Sequence, residues 1–184
     1  MTTKMELLNK LRSHDNKVAL QAVEAMKVRG WLEDGSLRGI ALCHAQLQGA
    51  DLMKANLTTV DFHQAQMDWA DLSMSNLVSA KLTRASLAGA NLEQANLKDA
   101  DLYKANLRFV RGLTDAQLSQ VKRLWGAIMV DGSPYDGRYN LSADIELARW
   151  GHVNVDNPEA MAQFYGVSVE TYLAGQGVEA LASA

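Results

Sequence analysis

From Gly35 to Phe109 the chain places a large apolar residue at every fifth position. Set out in blocks of five, the centre is Leu except at Phe62 and Met67, the first residue is usually Ala, and the second is most often Asn or Asp. The last two places in each block are mostly polar. This period fits neither regular element. On an α-helix, residues five apart step round by about 140° and spread over the whole surface instead of forming one stripe. On a strand they fall on opposite faces. A fixed repeat that suits neither element predicts a solenoid, in which each turn of chain stacks on the next. The centre and the small first residue point inward, and the other three face water. Asn or Asp in second place hydrogen-bonds nearby backbone and holds a tight corner.

The A-(D/N)-L-x-x pattern, as in Ala50-Asp51-Leu52, Ala55-Asn56-Leu57 and Ala90-Asn91-Leu92, resembles the pentapeptide-repeat proteins. Fifteen consecutive blocks carry it, with centres from Leu37 to Leu107. The resemblance implies an all-β solenoid core, a right-handed quadrilateral β-helix with four blocks to a coil. Just under four coils then make a rod about 18 Å long at the ~4.8 Å spacing of stacked strands. So short a stack has two unpaired ends close together, and both need caps.

The flanks supply candidates, dividing the chain into 1–34, 35–112 and 113–184. Met5 to Gly30 reads as two short helices. Asp15 or Asn16 is placed to cap the second, and Gly30 sits where a C-terminal glycine belongs. This segment is expected to be an N-terminal helical cap; a peptide-binding helix pair is the sharper alternative. After the repeats, Thr114 with Gln117 forms a capping box for a helix through about Arg123. Ala127 to Val130 reads as a strand, Ser142 to Trp150 as a helix, and Asn157-Pro158 as a further helix start stopped by Gly166. The tail is also similar to those that follow the repeats in some bacterial pentapeptide-repeat proteins. It is expected either to cap the coil, to fold back over Trp69, or to dimerise.

Departures from the repeat carry more information than matches. Phe62, behind Val60, overfills one coil locally and is read as core packing. Lys81 gives up one corner contact. With twenty residues to a coil, Gly49, Trp69, Gly89 and Phe109 stack in one column, leaving space around an outward Trp. Met53, Met74, Val78 and Tyr103 are predicted outward on other columns. A connected apolar patch would mark a contact surface. Cys43 stacks on His63 and His44 on Gln64; thiolate and imidazole suit zinc, but a structural zinc site takes four such ligands, so these are read as solvated surface residues.

Composition narrows the function classes. The formal charge is −3, and residues 35–109 hold seven basic and seven acidic residues. No segment has the basic excess of a nucleic-acid footprint. Met1 to Lys17 lacks the apolar core of a signal peptide, and no apolar run reaches membrane-spanning length. One Cys excludes an intrachain disulfide framework. A cytoplasmic protein is the expectation. There is no phosphate-binding loop and no G-x-S-x-G elbow, so no cofactor, metal or catalytic residues are assigned. The expected function is a non-enzymatic scaffold that presents a rigid surface to a protein partner, or to a second copy. The competing expectation comes from the resemblance: some members of the family mimic DNA and act on DNA gyrase. That role calls for a long, strongly acidic rod, which this chain does not encode.

Overall fold

The computed structural model describes residues 2–178. Between Ala41 and Ile128 the chain winds into a coil held by parallel pairings of single residues. Eleven of them join residues twenty apart, from Ala41–Asp61 to Asn91–Arg111, and two more, Asp101–Arg123 and Asn106–Ile128, join residues twenty-two apart. The expected all-β core is therefore a β-helix-like stack built from one-residue bridges, not from extended strands. From Asp61 to Arg111 each bridge residue donates its N–H one coil back, as Asp61 does to the Ile40 carbonyl (2.9 Å). Its carbonyl accepts from the coil before, as Asp61 does from Leu42 N–H (2.7 Å). A turn every five residues makes four blocks to a coil. The last residue of each block takes positive φ, from His44 (59°) through Lys54, Thr59 and Gln64 to Phe109 (59°). Such angles are uncommon outside Gly; here the ladder bonds and inward side chains on both sides hold them.

Inside, the Leu centres and the Ala positions are almost fully buried, and Phe62, Met67 and Val60 are completely so. The second-place residues do what their chemistry suggests. Asp61 Oδ1 accepts from His63 N–H at 3.0 Å, Asp71 from Ser73 at 2.9 Å and Asp101 from Tyr103 at 3.0 Å. Lys81 has no such oxygen and instead reaches Asp61 at 3.5 Å.

A stack with direction has different needs at its two ends. At the start, bridge-position carbonyls have no earlier coil to accept from. Helices α1 (Lys4–Leu11) and α2 (Asn16–Val28) pack together over this end, and their buried residues continue the coil's apolar core. From this segment Arg12 donates to the Ala41 carbonyl (2.9 Å) and Asn16 to that of Gln48 (3.1 Å). Asp15 caps α2, and Gly30 follows its last turn at φ 68°.

At the far end the register shifts by two residues because α3 (Asp115–Leu118) replaces a flat block. The Thr114–Gln117 capping box is present. Gln117 Nε2 also donates to the carbonyls of Leu92 and Ala95 (3.0 and 2.8 Å), as backbone would in a regular coil. The helix expected through Arg123 stops at Leu118, since Val121 and Leu124 turn inward and the coil resumes. Ala127 to Val130 is accordingly part of that coil rather than a free strand, with Ile128 bridged to Asn106 and, on the other side, to Pro134.

Helices α4 (Ser142–Trp150), α5 (Pro158–Tyr165) and α6 (Val169–Gly175) follow. The buried carboxylate of Asp144 joins α4 to the last coil. Its Oδ2 takes the Leu124 N–H at 3.1 Å, the bond Leu102 gives to the Arg123 carbonyl one coil earlier. Its Oδ1 takes the Trp125 N–H at 3.1 Å, the bond that an Asp would accept if position 123 were not Arg. Burial outweighs these bonds and pushes the Asp144 carboxyl up to about 6. Around it, Tyr135 is buried between Tyr139, stacked at 5.9 Å, and Tyr165, edge-on at 5.5 Å.

Candidate interaction surface

The column Gly49–Trp69–Gly89–Phe109 is one corner of the coil, linked by ladder bonds from Gly49 N–H to the Asp68 carbonyl, Trp69 to Ala88, Gly89 to Arg108 and Phe109 to Val130 (2.8–2.9 Å). All four residues lie in the left-handed region, with φ 70°, 63°, 69° and 59°. At this corner a side chain is thrown outward, so a large apolar residue has nowhere to bury itself. Trp69 is 66% exposed and Phe109 65%. The two glycines are not equivalent. A β-carbon at Gly89 would overlap the Trp69 indole, which lies across that glycine, while one at Gly49 would meet nothing within 4 Å. The free space expected on both sides of Trp69 therefore exists on the Gly49 side only. Asp68 beside the column is bound to Ser86 Oγ and to Ala88 N–H (2.9 Å), which fixes the backbone under the indole.

The other outward candidates separate. Met53 and Met74 are exposed and belong to the next face and the next corner after this column. Val78 is half-buried on the face beyond, so it does not join them. Tyr103 is half-buried too. It stacks on Trp125 at 5.4 Å, with the Arg123 guanidinium 4.5 Å from its ring centre, and Arg123 pairs in turn with Asp101. Trp125 carries the tail, donating Nε1–H to the Phe164 carbonyl at 2.9 Å. The described tail thus covers the Tyr103–Trp125 side of the coil and leaves Trp69 and Phe109 uncovered. Two flanking residues that the sequence pattern does not mark, Ile128 and Val130, are also part-exposed (38% and 36%), and the Val130 carbonyl of the next coil accepts the Phe109 N–H. Their signal was hidden by the two-residue register shift.

The Cys43 thiol is pushed up chiefly by burial and donates to the Asp61 carbonyl at 3.9 Å. The His44 and His63 rings meet edge to face at 6.0 Å. Among the described residues, no group of three or more His, Cys, Asp or Glu is placed to hold a metal ion. Clefts of about 450 and 400 Å³ between the last coil and α6 share Asp136, Arg138 and Thr171. In them the buried Asp136 is clamped by Arg138, with Nη2 to Oδ2 at 2.8 Å and Nε to Oδ1 at 3.0 Å, which holds the guanidinium above its ordinary pKa. No helix among the described residues is long and apolar enough to cross a membrane.

Residues 36–73 and 75–108 match the family described as pentapeptide repeats, in 8 copies. No curated protein matches. Among solved structures the chain is 31% identical to HetL, a pentapeptide repeat protein involved in heterocyst differentiation regulation from the cyanobacterium Nostoc sp. strain PCC 7120 (53% of this chain, 60% of that one, TM-score 0.29). It is 23% identical to alr5209, a pentapeptide repeat protein from Nostoc PCC 7120 (60% and 74%, TM-score 0.27). It is 17% identical to full-length QnrB1, a plasmid-mediated fluoroquinolone resistance protein (62% and 60%, TM-score 0.27). The chain spans less than two thirds of the length of HetL and of QnrB1. Residues 36–73 and 75–108 are thus pentapeptide repeats, as in these proteins, and they make up about two fifths of the chain.

Proposed function

We propose that this protein is a non-enzymatic interaction module, in which a right-handed, four-sided coil with helical caps presents a rigid surface to a protein partner. One observation carries the reading. The Trp69–Phe109 corner is exposed, apolar and held on a ladder-bonded backbone, whereas the other aromatic pair on the coil, Tyr103 and Trp125, is covered by the tail. A large apolar side chain held rigidly in water binds without the ordering cost of a flexible loop. In the clefts beside α6 the charged pair Asp136 and Arg138 is satisfied internally, and Trp150, more exposed still at 86%, stands on α4 away from the ladder-bonded coil. The repeats' balance of seven basic and seven acidic residues gives no support to DNA mimicry.

The test is capture of a partner from the source cell by the immobilised chain, with Trp69→Ala and Phe109→Ala beside it. Both variants are expected to melt as the parent does and to lose the partner. Full retention of the partner by both would remove the corner from the function. A gyrase supercoiling assay left unchanged by micromolar protein would close the DNA-mimic alternative.

A further inference from the structure

The same corner limits what can cover it. Along the column, small and large residues alternate as Gly49, Trp69, Gly89, Phe109, spanning three coil spacings or about 14 Å. Read in the opposite direction, the order is large, small, large, small. A reversed copy therefore sets Phe109 opposite the open notch at Gly49, at both ends of the column. The Trp69 indole, which lies across Gly89 at the centre, meets the same indole of the other copy. We propose that this corner is a self-association surface on which two copies of the chain pair antiparallel about a two-fold axis; this rests on reading the corner as a contact surface.

Charge fits the same arrangement. A two-fold axis lying in the contact plane, across the columns, sets each flank against the same flank of the second copy with its direction reversed. In the adjacent column Asp51, Asp71, Asn91, Arg111, this brings Asp51, which also pairs with Lys27 of its own chain, opposite the exposed Arg111 of the second copy and Asp71 opposite its Asn91. Each Asp51 carboxylate is then shared between Lys27 of its own chain and Arg111 of the other, at both ends of the aromatic centre. The parallel arrangement is worse on both grounds. It stacks Phe109 on Phe109, leaves the Gly49 notches empty against each other, and gives Asp51 no basic residue of its own column. A ridge of this width buries little surface, so the pairing belongs to the weak class, with dissociation constants in the micromolar range or above.

Sedimentation equilibrium of the whole chain from micromolar to near-millimolar concentration tests this. The expected result is a monomer–dimer equilibrium without higher species. Gly49→Lys fills the notch at little folding cost, because Lys54 and Lys104 already occupy the same block position at φ 60° and 55°. It is expected to weaken the dimer by roughly tenfold or more, as is Trp69→Ala. Asp51→Lys and Arg111→Glu are each expected to weaken it, and the double variant to restore it; the second place of a block tolerates lysine at Lys81. A monomeric parent across the whole range, or a dimer indifferent to Gly49→Lys and to the charge exchange, overturns the self-pairing. A monomeric parent that still captures another protein through Trp69 overturns the self-pairing alone and leaves the interaction module standing.

Discussion

Two aromatic sites on this coil differ in what lies over them. Tyr103 and Trp125 stack in one column, and Trp125 is tied to the tail through Phe164, with its backbone N–H held by Asp144. Trp69 and Phe109 stand in another column, about two-thirds exposed, on backbone of the same regularity. The repeat treats both alike, since outward positions tolerate almost any side chain. What separates a structural aromatic from an available one is the end of the stack. The last coil has N–H groups with no successor, and the tail that supplies their acceptor also settles on the neighbouring rings.

If that contrast is right, Trp125→Ala is the most damaging of the changes considered, at about 3 kcal/mol, because it opens a packed stack and removes a hydrogen bond. Chemical denaturation measures it directly. Asp144→Ala leaves two buried N–H groups without acceptors and is expected to cost on the order of 2–3 kcal/mol, with earlier protease cleavage in residues 135–178 as a second sign.

The pH dependence of Asp144 has a definite sign. Its folded pKa of about 6 lies above the unfolded value near 3.8, so the folded state holds the proton more tightly. Its contribution is full below pH ~4 and is lost as pH rises through 6, an effect on the order of 3 kcal/mol. Asp144→Asn should flatten the fall in melting temperature across that window. An unchanged profile would mean that the two N–H bonds already hold the carboxylate ionised.

Smaller effects sharpen the same division between inside and outside. Ser75 stands at an inward Ala position, almost fully buried, with no partner for its Oγ. Ser75→Ala is expected to raise stability by about 1 kcal/mol. Trp69→Ala should change it by no more than about 0.5 kcal/mol, as surface substitutions do.

Much of this fold can be read directly from the chain. The five-residue period defines the coil, helices α2 and α5 start at the expected cap residues Asp15 and Asn157, and α1 and α4 form in the segments expected to be helical. Helix α6 was not anticipated, although Ser168 caps it by accepting from Thr171 N–H at 3.1 Å. A seven-residue helix carries too little periodicity to stand out. The overlong expectation for α3 has a related cause. Val121 and Leu124 keep helical spacing from Leu118, but they are inward positions of a coil whose register has moved by two.

The candidate site divides along the same line. Trp69 and Phe109 could be grouped from sequence because twenty-residue stacking holds throughout their column. Tyr103 could not be recognised as covered, because Trp125 and Arg123 reach it only across the shifted register and Phe164 only through the tail. Long-range packing of a capping segment leaves no periodic trace.

The most direct test is the unfolding free energy of the double variant Trp69→Ala/Phe109→Ala, measured at low protein concentration so that association does not add to stability. A value within about 1 kcal/mol of the parent is expected, with binding or self-association lost. A loss above about 3 kcal/mol would show instead that these rings are part of what holds the protein together.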